Sequence, residues 1–167
     1  MQQQAEKQLF NSPFELGVRM VYLLLALRPR SVDLQRLVYL DYAAIYSEDL
    51  GGPPSLHTPV PLRGAEYLSR RDLIESGLYL MATKGLIDVS AGQHGIQYCA
   101  GENAAPLIGM LSGSYASTLW ERCQWVARNL GSLPDKDLAD NFGNHGLYWG
   151  AQLVPQDGVS KDNEALP

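Results

Sequence analysis

The sequence is short of cysteine, histidine, long apolar runs and basic charge, and each shortage removes a class of function. Its two cysteines, Cys99 and Cys123, have neither CxxC spacing nor the numbers a disulfide framework needs, so both read as reduced residues of a cytoplasmic protein. The three histidines, His57, His94 and His145, lie far apart in stretches rich in glycine or proline. No HExxH or HxH spacing joins them, so no metal site and no cofactor are expected. The most apolar run, LGVRMVYLLLAL over residues 16–27, is interrupted by Arg19 and is too short to span a bilayer. The opening MQQQAEKQLF lacks the basic-then-apolar order of a leader, and no membrane association is expected. Basic residues number 13 against 18 acidic ones, a net charge of −5. Neutralising phosphates supplies much of the affinity of DNA-binding domains. An acidic chain therefore meets nucleic acid only locally or through a partner.

Catalytic signatures are missing too. No GxxxxGK[ST] loop is present, and GMLSGSYAS (109–117) lacks the strand–turn–helix setting of a nucleophile elbow. The carboxylates and histidine of DLADNFGNH read as a capped turn. The expectation is a protein that is not an enzyme, without catalytic residues.

What is present is an ordinary globular composition, 46% hydrophobic and 19% charged, in a 167-residue chain long enough for one domain with a real core. SPFE (12–15) starts a helix: Ser12 as N-cap, Pro13 at the first position and Glu15 completing a capping box, with the helix running to about Arg28 before Pro29. Its few polar residues, Glu15, Arg19 and Tyr22, share one narrow arc. A second helix is expected over 31–47, capped by Ser31, with Leu34, Leu37, Val38 and Ile45 buried. The Gly- and Pro-rich stretch 48–64 reads as a long ordered loop of the kind that often carries function. A third helix spans about 70–84, closed by Gly85, and LIDVS and GIQYCA form a hairpin across AGQHG. A short helix then begins at Asn103. The last strong helix covers 114–130, with Tyr115, Leu119, Val126 and Leu130 at core spacing and Gly131 as its cap. Beyond it, a short helix near 135–141 and an apolar segment compatible with a strand are expected. The fold class is thus mainly α with a small β-hairpin wing, a winged-helix-like α+β single domain. Its divisions are a polar N-terminal segment (1–11), the winged-helix-like domain (12–131), a C-terminal extension (132–155) and a disordered tail (156–167).

In a winged-helix protein the third helix would read DNA. With Asp72 at zero on a helical wheel, Glu75, Ser76, Tyr79 and Thr83 fall on its side, and Leu73, Ile74, Gly77, Leu78, Leu80 and Met81 fall opposite. The exposed face therefore carries two acids and no base, which opposes insertion into a groove. Arg63, Arg70, Arg71 and Lys84 flank it as possible phosphate contacts or as solvated surface charges. Tyr39, Tyr42 and Tyr46 recur along one face of the second helix, either as the rim of the core or as a partner groove. Trp120 and Trp125 are separated by about 140 degrees on the last helix, so one of them is expected to be partly exposed or covered by a partner.

The stretches NSPFELGVRMVYLLLAL, LVYLDYAAIYSEDLGGPPSLHTPVPLR and LIESGLYLMATKGLI together resemble the middle component of bacterial ABC-three-component systems, the group that includes the small subunit of Lamassu anti-phage and anti-plasmid defence. The resemblance covers roughly residues 10–131 and rests on the LDY, SLH and KGLI neighbourhoods. The chain departs from the pattern at Thr58, which stands between SLH and Pro59. The resemblance implies a non-catalytic adaptor between an SMC/Rad50-like DNA-sensing ATPase and a nuclease-type effector, with DNA met only through the complex. The competing reading is a stand-alone winged-helix DNA-binding transcription regulator, and a small hydrolase with a site assembled only in three dimensions is a third.

Overall fold

The computed structural model describes residues 12–57 and 63–150, with side chains at 63–69 and 143–150 excepted. The sequence-based expectations for the N-terminal segment, the C-terminal tail, Thr58 and the Arg63 side chain lie outside what it describes. Helix α1 (Pro13–Leu27) begins as its sequence requires: Ser12 Oγ accepts from the Glu15 N–H at 3.2 Å, and proline occupies the first turn. The reciprocal half of the capping box does not form. Glu15 instead brings its carboxylate to 4.0 Å from Arg19, one turn further along the same helix.

Helix α2 (Leu34–Ile45) starts later than expected, and Asp33 rather than Ser31 caps it, accepting from the Arg36 N–H at 2.7 Å. The cause is Val32, whose backbone exchanges two hydrogen bonds with Tyr98, 2.9 and 2.8 Å long. That pairing holds residues 31–32 extended, and the helix begins only after it. A 3₁₀ turn (Ser47–Leu50) follows. Helix α3 (Arg63–Thr83) begins about two turns earlier than expected, which shortens the Gly/Pro loop. Strands β1 (Ile87–Gly92) and β2 (Gly95–Ala100) form an antiparallel hairpin in which Ile87 faces Ala100 and Val89 faces Tyr98. The turn is only two residues long, with Gly95 at φ +81° accepting the left-handed conformation that this tight reversal needs. The Val32–Tyr98 bridge adds a minimal third strand on the β2 side.

Helices α4 (Ala104–Met110), α5 (Ser114–Asn129) and α6 (Asp135–Gly150) follow among the described residues. Where a strand is expected after residue 141, the described residues are helical. Helix α6 continues through Gly150, and Leu138 and Phe142 are buried in the core. Phe142 packs against Tyr39 and Tyr42 with ring centroids 4.8 and 5.9 Å away, so the segment beyond residue 131 seals α2 instead of trailing from it. The structure is mainly helical with one small hairpin, an α+β single domain.

One residue fastens the α5–α6 corner. Arg36 donates to the carbonyls of Leu133 (2.6 Å), Gly131 (2.9 Å) and Leu130 (3.3 Å) and to the Asp135 carboxylate (2.7 Å). A guanidinium here satisfies the orphan carbonyls at the end of α5 and complements its dipole. Arg36→Ala is expected to lower stability by about 1.5–3 kcal/mol, the range for charge-assisted hydrogen bonds. Urea unfolding beside Arg30→Ala, which removes an exposed cation, provides the check; equal midpoints would show that the corner does not depend on Arg36.

Candidate functional site: a buried charge cluster and an exposed helix–hairpin face

Helices α1 and α2 are apolar nearly all round, and each carries an ionised residue in mid-helix, Arg19 and Asp41. Both are buried, and they meet. Arg19 donates to both carboxylate oxygens of Asp41, from Nε at 3.0 Å and from Nη2 at 2.9 Å, a fork that matches the planar guanidinium. Arg70 of α3 brings Nη1 to 3.5 Å from Asp41 Oδ2 and lays its guanidinium over the Tyr46 ring, 5.9 Å from the centroid. Burial by itself would lower the Arg19 pKa, yet the charge and hydrogen bonds of Asp41 hold it above the ordinary arginine value. Burial raises the Glu15 pKa, and Arg19 offsets only part of that rise.

The loop after α2 folds over this cluster. Gly52 lies so close to Trp125 that a Cβ there would sit 2.5 Å from the indole ring. Ser47 Oγ donates to the Pro53 carbonyl at 2.9 Å, and Arg122 Nε donates to the Pro54 carbonyl at 2.9 Å. At the loop's end His57 Nε2 and the Tyr115 hydroxyl share a 3.0 Å hydrogen bond, closing the cluster from the α5 side. Burial, with the nearby Arg19 charge adding to it, lowers the His57 pKa to about 4. A free histidine in the unfolded chain binds a proton near pH 6.5, whereas His57 in the fold does so only near 4. Its contribution to stability is therefore present above about pH 6.5 and is lost as pH falls toward 4. We expect His57→Phe to remove about 1–2 kcal/mol of that pH dependence, less than the full shift implies because the ring is partly solvated. Unfolding of both proteins between pH 7 and 4.5 is the check, since Glu15, raised by burial, contributes with the opposite sign in each. Parallel stability curves would sink this assignment.

The second feature is the outer face of α3 and the hairpin beside it. Asp72, Glu75, Ser76, Tyr79 and Thr83 are exposed, Tyr79 at 75%, while Ile74, Leu78 and Met81 are buried, as the wheel places them. On the hairpin, Ile87, Val89, Ile96, Tyr98 and Ala100 share one side by register. Ile87, Tyr98 and Ala100 are buried, but Val89 and Ile96 are exposed at 50% and 54%, so this apolar side runs past the edge of the core. Burial raises the Tyr98 pKa, and the Glu75 charge adds to the rise.

Several sequence-based assignments are corrected here. Tyr42 and Tyr46 are each only 1% exposed and stack on one another at 4.8 Å, and Tyr39 is partly covered by Phe142. They lie within the chain's own core, because α6 and Arg70 occupy the face that a partner groove would need. Arg70 is buried against Asp41 and is not presented to a phosphate. Arg71 is exposed and donates to Gln35 Oε1 at 2.6 Å, and Lys84 is exposed. The tryptophans need no correction: both are half-buried, Trp120 near Tyr22 and Trp125 under Gly52, where partial exposure of one of them is expected from the sequence. Tyr115, expected in the core, is 41% exposed. Cys123 is buried, which pushes its thiol pKa up and leaves it unreactive.

Sequence reasoning missed the Arg19–Asp41–Arg70 cluster. The signal was present: one ion of each sign in mid-run of two otherwise apolar helices. Among the described residues, no group of three or more His, Cys, Asp or Glu is placed to hold a metal ion, and no helix is long and apolar enough to cross a membrane.

A family model described as "ABC-three component (ABC-3C) system Middle Component 2" matches residues 9–152. No curated protein and no solved structure matches the chain.

Proposed function

We propose a function from one premise: the chain belongs to the Middle Component 2 family of ABC-three-component (ABC-3C) systems. As a middle component it works with the other components of such a system. Our reading is a cytoplasmic, non-catalytic adaptor of Lamassu-like anti-phage and anti-plasmid defence. It bridges an SMC-like DNA-sensing ATPase to a nuclease-type effector and holds the effector inactive until the ATPase moves.

One observation carries this reading. The element order, with Val32 bridged to β2, supports a winged-helix-like scaffold, yet the α3 face that would enter a DNA groove bears Asp72, Glu75 and an exposed Tyr79. Phosphate repulsion opposes that use, while an acidic face with an aromatic at its centre suits a protein partner. The buried cluster supports a structural role as well, because its charges are spent on one another and not offered to a substrate.

Co-expression of the three components, with affinity purification before and after nuclease treatment, tests the proposal. Recovery of both the ATPase and the effector, unchanged by nuclease, is expected. Recovery of neither, together with tight and salt-sensitive DNA binding by the isolated chain, would replace it with the transcription-regulator reading.

A further inference from the structure

The α3–hairpin face has the two properties of a docking surface that is not yet covered. It exposes large apolar side chains, Tyr79 on α3 and Val89 and Ile96 on the apolar side of the hairpin, and α3 and β1 are in contact. It also carries acidic charge: Asp72 and Glu75 project, exposed, from the same helix face. The cations at its margins are turned elsewhere or end the helix, Arg71 bonded to Gln35 on α2 and Lys84 at the last turn.

Charge decides the occupant. DNA and anionic membranes are repelled by the two carboxylates. A second copy of this chain docking face to face would bring four acids together, which costs affinity unless they are neutralised. A helix that bears lysine or arginine on one edge and apolar residues on the next meets both demands, pairing with the acids and covering Tyr79, Val89 and Ile96.

We propose that the face formed by Asp72, Glu75 and Tyr79 of α3 with Val89 and Ile96 of the hairpin receives a basic amphipathic helix from another protein component of the ABC-3C system. This rests on the adaptor reading and adds to it a surface and the chemistry of the segment that binds there. The hairpin provides the apolar wall, and α3 provides the charge that sets which way the incoming helix runs.

The test uses the full chain co-expressed with the other components, the ATPase component serving as the titrated probe. Binding of the wild type is compared with Asp72→Arg/Glu75→Arg, with Tyr79→Ser and with a control reversal at exposed Glu121→Arg on α5. The charge reversal and Tyr79→Ser are each expected to weaken binding by about tenfold or more, while the control and all thermal midpoints stay near wild type. A photo-crosslinker at position 79 is expected to mark a lysine- or arginine-bearing segment of a partner component. If the wild-type complex forms and tolerates the double reversal, the surface assignment is overturned while the adaptor reading stands. If no complex forms with any component, the adaptor reading falls and the surface with it. A crosslink to a second copy of this chain would overturn the proposal in favour of a self-contact.

Discussion

Replacing Asp41 with Asn is expected to destabilise the protein by about 3–5 kcal/mol, a large fraction of the stability of a domain this size. The carboxylate is the common acceptor for two buried guanidinium groups, Arg19 at 2.9 and 3.0 Å and Arg70 at 3.5 Å, with all three side chains 4% exposed or less. Asn keeps the shape and removes the charge, so Arg19 and Arg70 would lose the anion that they share, leaving Arg19 with the 4.0 Å contact to the partly exposed Glu15. The cost lies in the uncompensated cations, not in the hydrogen bonds themselves. For the same reason the triple substitution Arg19→Met, Asp41→Leu, Arg70→Met is expected to recover most of the loss, since it withdraws all three fully buried charges and leaves only Glu15, which reaches solvent. Chemical denaturation of the single and triple variants separates the effects. An Asp41→Asn midpoint close to wild type would mean that water reaches the cluster and solvates it.

Gly77→Ala is expected to cost about 3 kcal/mol and to lower the melting temperature by on the order of 10 °C, although alanine is the better helix former. Helices α1 and α3 make the most extensive contact between helices among the described residues, and they cross where Gly17 meets Gly77. A Cβ on Gly77 would sit 2.6 Å from the Gly17 nitrogen and from the Pro13 carbonyl oxygen. Those are backbone atoms, so relief requires the two helices to move apart and to loosen the Leu16, Met20, Ile74 and Leu78 packing around them. Gly109→Ala in α4 is the contrast: nothing lies within 4 Å of its would-be Cβ, so helix propensity acts alone and stability is expected to hold or rise slightly. Thermal unfolding of the pair reads the difference directly. A harmless Gly77→Ala would show that the crossing has slack.

The adaptor reading depends on these interior contacts in one respect. Both the Asp41 cluster and the Gly17–Gly77 crossing hold α3 against α1, and α3 is the helix whose outer face carries Asp72, Glu75 and Tyr79. A variant that loosens either contact would move that face relative to the hairpin, so loss of partner binding by Asp41→Asn or Gly77→Ala says nothing about where the partner sits. Surface reversals that leave stability intact are the informative ones.

Local signals alone determined much of this molecule. Ser12-Pro13 began the first helix, Gly95 turned the hairpin, the 3.6-residue pattern of α3 divided its buried from its exposed residues, and the acidity of that exposed side followed at once. Those features depend on neighbours within a turn or two of the chain, which a sequence displays. The tertiary structure decided the rest. Helices α1 and α2 are covered on nearly all sides beyond their first turns, so polarity no longer marks the solvent side: the arc holding Arg19 and Tyr22, and the row of Tyr42 and Tyr46, turn inward. Whether such residues form a surface depends on α6, Arg70 and the loop at Gly52, all distant in sequence. Likewise Val32 is extended because Tyr98 pairs with it, and Arg70 is withdrawn from solvent because Asp41 waits for it. Periodicity reports a side chain's environment when the core covers one side of an element; where it covers every side, only the partners brought there by the fold can settle what a buried charge or phenol does.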